Sequence, residues 1–580
     1  MEVIKSMKKE LRNKKYFFFI LHTLYFILIS LTIFGCAVQR LPEGGPVDQT
    51  SPEILSIYPP PNTTYFIGNT IAIEFSEYVD RRSVESAIFF SPYISDVEYE
   101  WSGTELEIHF TKPLRKNITY VLTIGTDVVD VNNRNKMANA FSLAFSTGEN
   151  IDKGSVVGKI YNEKSEGIII FTYRLNDIKS DTLNPSKQKP DYITQTGKEG
   201  TYTLSALANG TYRVIAVRDE YRNLLYDIGI DEVGTTQKNI VLNDKDSLIN
   251  NINFILAKHD TIPPQLLSAT ATDKNHLILQ FTKPIEEKTI SQSSLVSFII
   301  TDTIKNISLE ITDFIFSSKK QEQIIVRTTS QENVPYRITV KNIKDKIGNV
   351  ISSNNTEIFR GSLIKDTIPP QLLYFSLADS LSNVSLQPTI RFDFNDILQK
   401  QSAEKSFALF LGDSVKNENI ILTKFQWNTS SSFSITPQQS LKPEQHYTIA
   451  LSYKNIIDEE KNMYLDSVQI FHFSTINPDN FGSIEGVVKN IIPSHTYNII
   501  ANSTSKKEEI TTSVTAGKFL FPQLSQGEYT LIVYEDVNSN GKYDAGMPFP
   551  FVPAEPFIVY PNPIKVRPRW PVDGIIIEMK

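Results

Sequence analysis

The residues that could do chemistry are few. Near the C-terminus the chain runs Asp536-Val537-Asn538-Ser539-Asn540-Gly541-Lys542-Tyr543-Asp544. Side-chain oxygens at positions 1, 3, 5 and 9, a glycine at 6 for the sharp turn and a backbone carbonyl at 7 reproduce the first nine positions of a calcium loop. Asp536, Asn538, Asn540, Lys542 and Asp544 are the candidate ligands, in the last part of the chain. Position 12 of such a loop is a bidentate glutamate; here it is Met547. An Asn/Gly-rich turn closed by its own side-chain hydrogen bonds has the same composition, and spacing leaves both readings open. An earlier stretch keeps Asp219, Asn223 and Asp227 but places Tyr221 at position 3 and Leu224 at position 6. An ion there would lack half its cage, so calcium is expected only in the last unit.

The other reactive group is the single cysteine of the 580 residues. One thiol excludes an internal disulfide framework and any Cys-based zinc or iron-sulfur site. Lys5, Lys8, Lys9, Arg12, Lys14 and Lys15 precede an apolar run from Tyr16 to Phe34, the charged and apolar regions of a secretory signal. The run closes Leu31-Thr32-Ile33-Phe34-Gly35-Cys36, which resembles the bacterial lipobox. That resemblance implies cleavage before Cys36, a diacylglyceryl group on its thiol and an acyl group on its new amine. Each buried methylene contributes ~0.8 kcal/mol and one chain anchors only marginally, so two or three chains make a durable anchor. An uncleaved span of the same length is the alternative. A lone cysteine at the end of the run favours the signal. Loss of residues 1–35 removes six positive and two negative charges, taking the net charge from -7 to -11. An acidic chain of this kind is not a nucleic-acid binder. Ala37 to Val47 reads as an extended tether. Surface-exported Bacteroidota lipoproteins carry acidic residues immediately after the cysteine, whereas here the first is Glu43, so the lipobox resemblance implies a slight preference for the periplasmic side of the outer membrane over surface display.

Catalysis finds little support. Six histidines follow Cys36, and no His-Glu-x-x-His, Gly-x-Ser-x-Gly, Gly-x-Gly-x-x-Gly or phosphate loop is present. From Pro548 to Pro571 eight prolines mix with Phe549, Phe551, Phe557, Arg569 and Trp570. The segment is expected as a long ordered loop on the last sandwich, with Arg569-Trp570 leading into a final strand; a partner or glycan surface is the second reading.

The elements that must carry these residues are repeated. Ser51-Pro52-Glu53-Ile54-Leu55 recurs as Pro263-Pro264-Gln265-Leu266-Leu267 and Pro369-Pro370-Gln371-Leu372-Leu373, at separations of 212 and 106. Each is followed by an alternating strand ending on a phenylalanine, Phe75, Phe281 or Phe394, and later by a tyrosine-led strand and an Asp/Asn turn. Period-2 alternation with frequent turn signals predicts antiparallel β-sandwiches. With the Asp-Thr-x-Pro-Pro entries, Phe75-Ser76-Glu77, and the closing Phe145-Ser146-Thr147 and Phe473-Ser474-Thr475, these units resemble the SbsA-type bacterial Ig-like domain of S-layer and Bacteroidota envelope proteins. The middle copy ends Phe359-Arg360-Gly361 and is divergent.

A second unit type is interposed. Gly200-x-Tyr202-x-Leu204 through Gly210-x-Tyr212-x-Val214 to Asp219 matches Gly517-x-Phe519-x-Phe521 through Gly527-x-Tyr529-x-Leu531 to Asp536 at a constant offset of 317. Two such alternating strands make a hairpin, and the pattern resembles the transthyretin-like, carboxypeptidase-regulatory-like fold. An offset of 328 from Phe145 to Phe473 continues across Gly154 and Gly482, so an Ig-like plus transthyretin-like pair is duplicated around one extra Ig-like unit. The expected fold class is all-β, a tandem array of five Ig-like or transthyretin-like sandwiches after a lipoprotein signal peptide. The spans are signal 1–35, tether 36–47, Ig-like 48–149, transthyretin-like 150–259, divergent Ig-like 260–362, Ig-like 363–478 and transthyretin-like 479–580. They are called units 1 to 5 below. Stacked sandwiches of this kind suggest a rod. The expected role is a non-enzymatic structural, scaffolding or adhesion component, held in outer-membrane lipid through acylated Cys36, with an envelope protein or glycan as partner. No cofactor is required beyond candidate calcium in unit 5. A carbohydrate-binding accessory lipoprotein is the alternative. Eight Asp-Ser/Thr-aliphatic sites, among them Asp246, Asp302 and Asp413, resemble a Bacteroidota O-glycosylation signal.

Overall fold

A strand with one apolar edge gains little until a second sheet covers it, and that requirement organises the whole chain. In Thr70–Phe75 the buried residues are Ile71, Ile73 and Phe75, the period-2 set read from sequence. The computed structural model describes residues 14–15, 18–25, 47–94, 96–175, 182–290, 297–352, 355–377, 381–465 and 467–579. Cys36 and most of the signal and tether lie outside them, as do the sites at Asp181, Asp379 and Asp466. Among the described residues no helix is long and apolar enough to cross a membrane.

Among the described residues ten sheets pair into five sandwiches in tandem. In unit 1 the four strands Ile54–Tyr58, Thr70–Phe75, Glu105–Phe110 and Val97–Ser102 face the three strands Ile88–Ser91, Thr119–Ile124 and Phe141–Ser146. A single apolar cluster from Ile71 to Phe145 fills the space between. Units 3 and 4 repeat the plan around Leu277, Phe281 and Ile338, and around Phe392, Phe433 and Ile449. The tyrosine-led strands have a common cause. The hydroxyls of Tyr120, Tyr336 and Tyr447 accept hydrogen bonds from the backbone N–H of Arg115, Glu332 and Lys442 at 2.9, 3.0 and 2.8 Å. Each pins the loop leading into its own strand.

Units 2 and 5 share one topology. Ile169–Arg174 lies between Tyr192–Gln195 and Gly210–Arg218, as Thr496–Ser503 lies between Glu509–Ser513 and Gly527–Asp536. In both, the opening strand pairs antiparallel with one partner and parallel with a late strand, Leu248–Ile249 in unit 2 and Pro571–Glu578 in unit 5; unit 2 then adds Ala257–Lys258 beside Glu232–Thr235. The proline-rich segment, expected as one long loop, instead carries the short strands Phe557–Val559 and Ile564–Val566, both paired with Gly527–Asp536, before it enters the final strand of its own sandwich.

The expectation of a rod is not met. Unit 2 seats on unit 5, more than 300 residues along the chain: Thr235 N–H donates to the Ala545 carbonyl at 2.9 Å and Thr235 Oγ1 to the Val552 carbonyl at 3.0 Å. The Arg213 guanidinium lies 3.7 Å from the centroid of the Phe551 ring. Ile255 of unit 2 packs on the outer-face cluster Ile500, Ile532 and Tyr534 of unit 5. The chain doubles back because these sheets carry apolar side chains on both faces, and the outer ones need cover.

Candidate functional site

The two aspartate loops occupy corresponding places, each following the longest strand of its unit, Gly210–Arg218 or Gly527–Asp536. In unit 5 Asp536 is buried, and its carboxylate accepts the N–H groups of Asn540 and Gly541 at 2.9 and 2.8 Å. The amides of Asn538 and Asn540 donate to Asp544 Oδ2 at 2.6 and 2.9 Å, and Asn540 Oδ1 accepts from Lys542 N–H. All five predicted ligand residues are thus brought into one loop, closed by hydrogen bonds among its own members. Gly541 takes φ +78°, which satisfies the sharp turn at position 6.

Sequence reasoning missed a clamp from outside the loop. Buried Glu555 accepts Val537 N–H at 2.7 Å and Asp544 N–H at 3.0 Å. In unit 2 Asp231 does the same for Glu220 N–H at 3.0 Å and Asp227 N–H at 2.7 Å. Burial, first of all, raises both carboxyls above their ordinary range. With this residue the carboxylates of Asp219, Asp227 and Asp231 come within 4.8 Å of one another. The loop of unit 2, read as lacking half a cage, therefore gathers three acids. Asp219 and Asp227 accept three N–H contacts from inside the loop and Asp231 two more from its edge, so both loops stand as closed structural elements first. Spacing offered no signal for the clamp, which lies 11 residues from its first donor in one copy and 18 in the other.

The remaining polar features are seams. Between units 1 and 2 Gln195 is buried, donating to Asp127 Oδ2 and accepting Thr126 N–H at 2.8 Å. Burial alone would raise Asp127; Gln195, Lys136 and Arg222 overcome it and hold the carboxyl low. Between units 3 and 4 His276 reaches Asp273 through Nδ1 at 3.0 Å and Asp396 through Nε2 at 3.4 Å. Burial opposes its charge, yet the two carboxylates outweigh that and push the imidazole up to about 10. Beside it Arg327 crosses the seam to Glu459 at 2.7 Å and Glu460 at 2.5 Å. His109, on the strand Glu105–Phe110, stands beside Glu107 of that strand and Glu100 of the neighbouring one, at 3.2 and 3.5 Å, and is half-buried.

With this geometry in view, residues 48–147 and 366–475 each match the family described as bacterial Ig-like domain. No curated protein matches the chain. Among solved structures, the N-terminal part of the bacterial S-layer protein SbsC is similar at 14% identity and a TM-score of 0.16, over 37% of this chain and 44% of that one. The chain thus spans under half of that relative. An L,D-transpeptidase from Mycobacterium smegmatis aligns at 12% identity and TM-score 0.16 over 37% of this chain and 90% of its own. The N-terminal four Ig domains of Dscam1 isoform 8.4 align at 9% identity and TM-score 0.18 over 66% and 96%. Similarities at these scores carry nothing about arrangement or activity.

Proposed function

We propose that a chain built on two bacterial Ig-like modules, within an array of five sandwiches that closes on itself, serves as a lipid-anchored structural or adhesion element of a bacterial envelope. The observation that carries this is the way polar side chains are used. Asp536, Asp231, Glu555, Gln195, His276 and Arg327 all hold loops or seams. Units 2 and 5 are read as transthyretin-like from their shared hairpin motif and strand order. Anchoring is read from the basic start, the apolar run and the lone Cys36, with the periplasmic face of the outer membrane favoured. Closure of unit 2 on unit 5 suits a stiff spacer better than a flexible string, because seams restrict inter-unit motion. The glycan-binding alternative needs grouped aromatic platforms. Tyr58, Tyr65, Tyr78, Tyr93 and Trp570 are exposed, and a glycan array with the mature chain is expected to return no binder. Labelling of cells with a palmitate analogue tests the anchor: the label should vanish in Cys36→Ser, and its persistence there would exclude lipidation at this residue. Protease shaving of intact cells should leave the chain uncut if it faces the periplasm.

A further inference from the structure

The three Ig-like units carry the same polar cluster where each chain enters its sandwich. It consists of the entry aspartate (Asp48, Asp260 or Asp366), the residue two after the strand-ending phenylalanine (Glu77, Lys283 or Asp396) and the aspartate of the late turn (Asp130, Asp345 or Asp458). An asparagine just beyond that turn closes each cluster. The amides of Asn135, Asn349 and Asn462 donate to the main-chain carbonyls of Asp48, Asp260 and Asp366 at 3.1, 2.8 and 3.3 Å.

Unit 3 shows how the charge is balanced. The Lys283 ammonium lies 2.5 Å from each carboxylate oxygen of Asp260 and 3.9 Å from Asp345 Oδ2. One built-in cation is shared between two acids. In unit 4 the equivalent residue is Asp396, so the cation is replaced by a third anion. Asp366, Asp396 and Asp458 are 5%, 4% and 0% exposed. Oxygens of Asp366, Asp458 and Glu460 lie within 4.8 Å of one another. Asp458 Oδ2 and Glu460 Oε2 are both buried and without any hydrogen-bond partner. The other contacts are short and local: Asp458 Oδ1 accepts Asn462 N–H, Asp366 Oδ1 accepts Ile368 N–H and Asp396 Oδ1 accepts Ile397 N–H. The cations in reach are already shared, His276 between Asp273 and Asp396 and Arg327 between Glu459 and Glu460. Buried carboxylates need a partner for each charge, and two orphaned oxygens, one of them on the fully buried Asp458 and one on the partly buried Glu460, point at a missing positive ion.

We propose that unit 4 binds a calcium ion between Asp366, Asp458 and Glu460, bordered by Asp396, in the place the Lys283 ammonium takes in unit 3. The donors are all oxygens, which selects a hard cation. Several carboxylates without fixed octahedral geometry suit Ca²⁺ better than Mg²⁺, which keeps its waters. His276 Nδ1 is bound to Asp273, and its Nε2 lies 3.4 Å from Asp396 without a hydrogen bond; His276, Asp366 and Asp396 also come within 4.8 Å of one another, and the zinc arm of the test separates that nitrogen-containing set from the all-oxygen one. The ion would sit on the seam: Asp366 lies in the segment joining the last strand of unit 3, Asn355–Arg360, to the first of unit 4, Leu372–Phe375. Glu460 and Asp396 are already tied to Arg327 and His276 of unit 3. Binding therefore locks unit 3 against unit 4. Unit 1 keeps Asp48, Glu77 and Asp130, but Asn132 stands where unit 4 has Glu460, Asp48 is exposed and Glu77 only half-buried, so its site would be far weaker.

The test is calcium titration calorimetry and thermal unfolding of the chelator-treated full-length chain in detergent. Calcium should bind and raise the unfolding temperature, with zinc giving no such response. Asp458→Asn should weaken binding by roughly tenfold or more. Asp396→Lys, which imports the arrangement of unit 3, should fold without calcium and lose the response. Asp536→Ala in the unit 5 loop should leave it in place. Absence of calcium binding, a response to zinc in place of calcium, an unchanged response in Asp396→Lys, or its loss in Asp536→Ala would each overturn the assignment.

Discussion

Closure of unit 2 on unit 5 can be measured at one amide. Thr235 is 2% exposed and its N–H donates to the Ala545 carbonyl of unit 5, so it exchanges with solvent only when the seam opens. Arg213, itself 3% exposed, places its guanidinium 3.7 Å from the Phe551 centroid. A desolvated cation–π contact contributes about 2 kcal/mol. Phe551→Ala should then lower the opening free energy by about 2 kcal/mol and speed exchange at Thr235 roughly thirtyfold, at 1.36 kcal/mol per decade. Arg213→Ala should do the same with an added cost inside unit 2, where Arg213 Nε donates to Asn239 Oδ1 at 3.1 Å. A double-mutant cycle removes that added cost, because the Asn239 bond is lost from Arg213→Ala with or without Phe551. The coupling expected is about 1–2 kcal/mol. The assay is hydrogen–deuterium exchange on peptides covering 231–237, with the ladder joining Tyr212 to Arg174 as an internal standard that stays protected. Unchanged exchange at Thr235 in Phe551→Ala, or a coupling below about 0.5 kcal/mol, would refute the seam as described.

Other outcomes follow from the same geometry. Gly546 has φ +75°, and a Cβ there would lie 2.0 Å from Thr235 Oγ1; Gly546→Ala should cost about 1–2 kcal/mol in backbone strain and raise Thr235 exchange further through the clash. Glu555→Ala leaves the N–H groups of Val537 and Asp544 without their acceptor, and should lower the unfolding temperature of unit 5 with a loss of about 2–4 kcal/mol, read by differential scanning calorimetry. The Lys283 hydrogen bond and charge hold Asp260 below its ordinary range. A depressed carboxyl contributes stability above its unfolded value and loses it as pH falls through the folded one. Wild-type should therefore exceed Lys283→Met in stability at neutral pH, and the gap should close in acid; a pH-independent gap would contradict the pair.

Much of the fold is legible without coordinates. Alternation fixed the inward faces of strands such as Thr70–Phe75, because strand periodicity is a property of adjacent residues. The constant offset of 317 foretold that units 2 and 5 share a strand order, since equal patterns fold by equal rules. The paired Asp/Asn loops were visible for the same reason: their members lie within nine residues. What the sequence could not place were groups meeting from afar. Glu555 and Asp231 clamp their loops from different distances along the chain, and no period connects them to their donors. The poles of the Ig-like units were visible only as entry and turn motifs. That Lys283 in one copy answers to Asp396 in another became meaningful once both were seen to face the same two aspartates.

The opening strand, the core and the duplication were thus determined by the sequence alone, because each depends on local spacing and on one sheet covering the next. The seating of unit 2 on unit 5 and the burial of four carboxylates beside His276 and Arg327 were decided only in three dimensions. Linker geometry sets which outer faces meet, and a carboxylate on a turn has no fixed partner until that meeting removes its water.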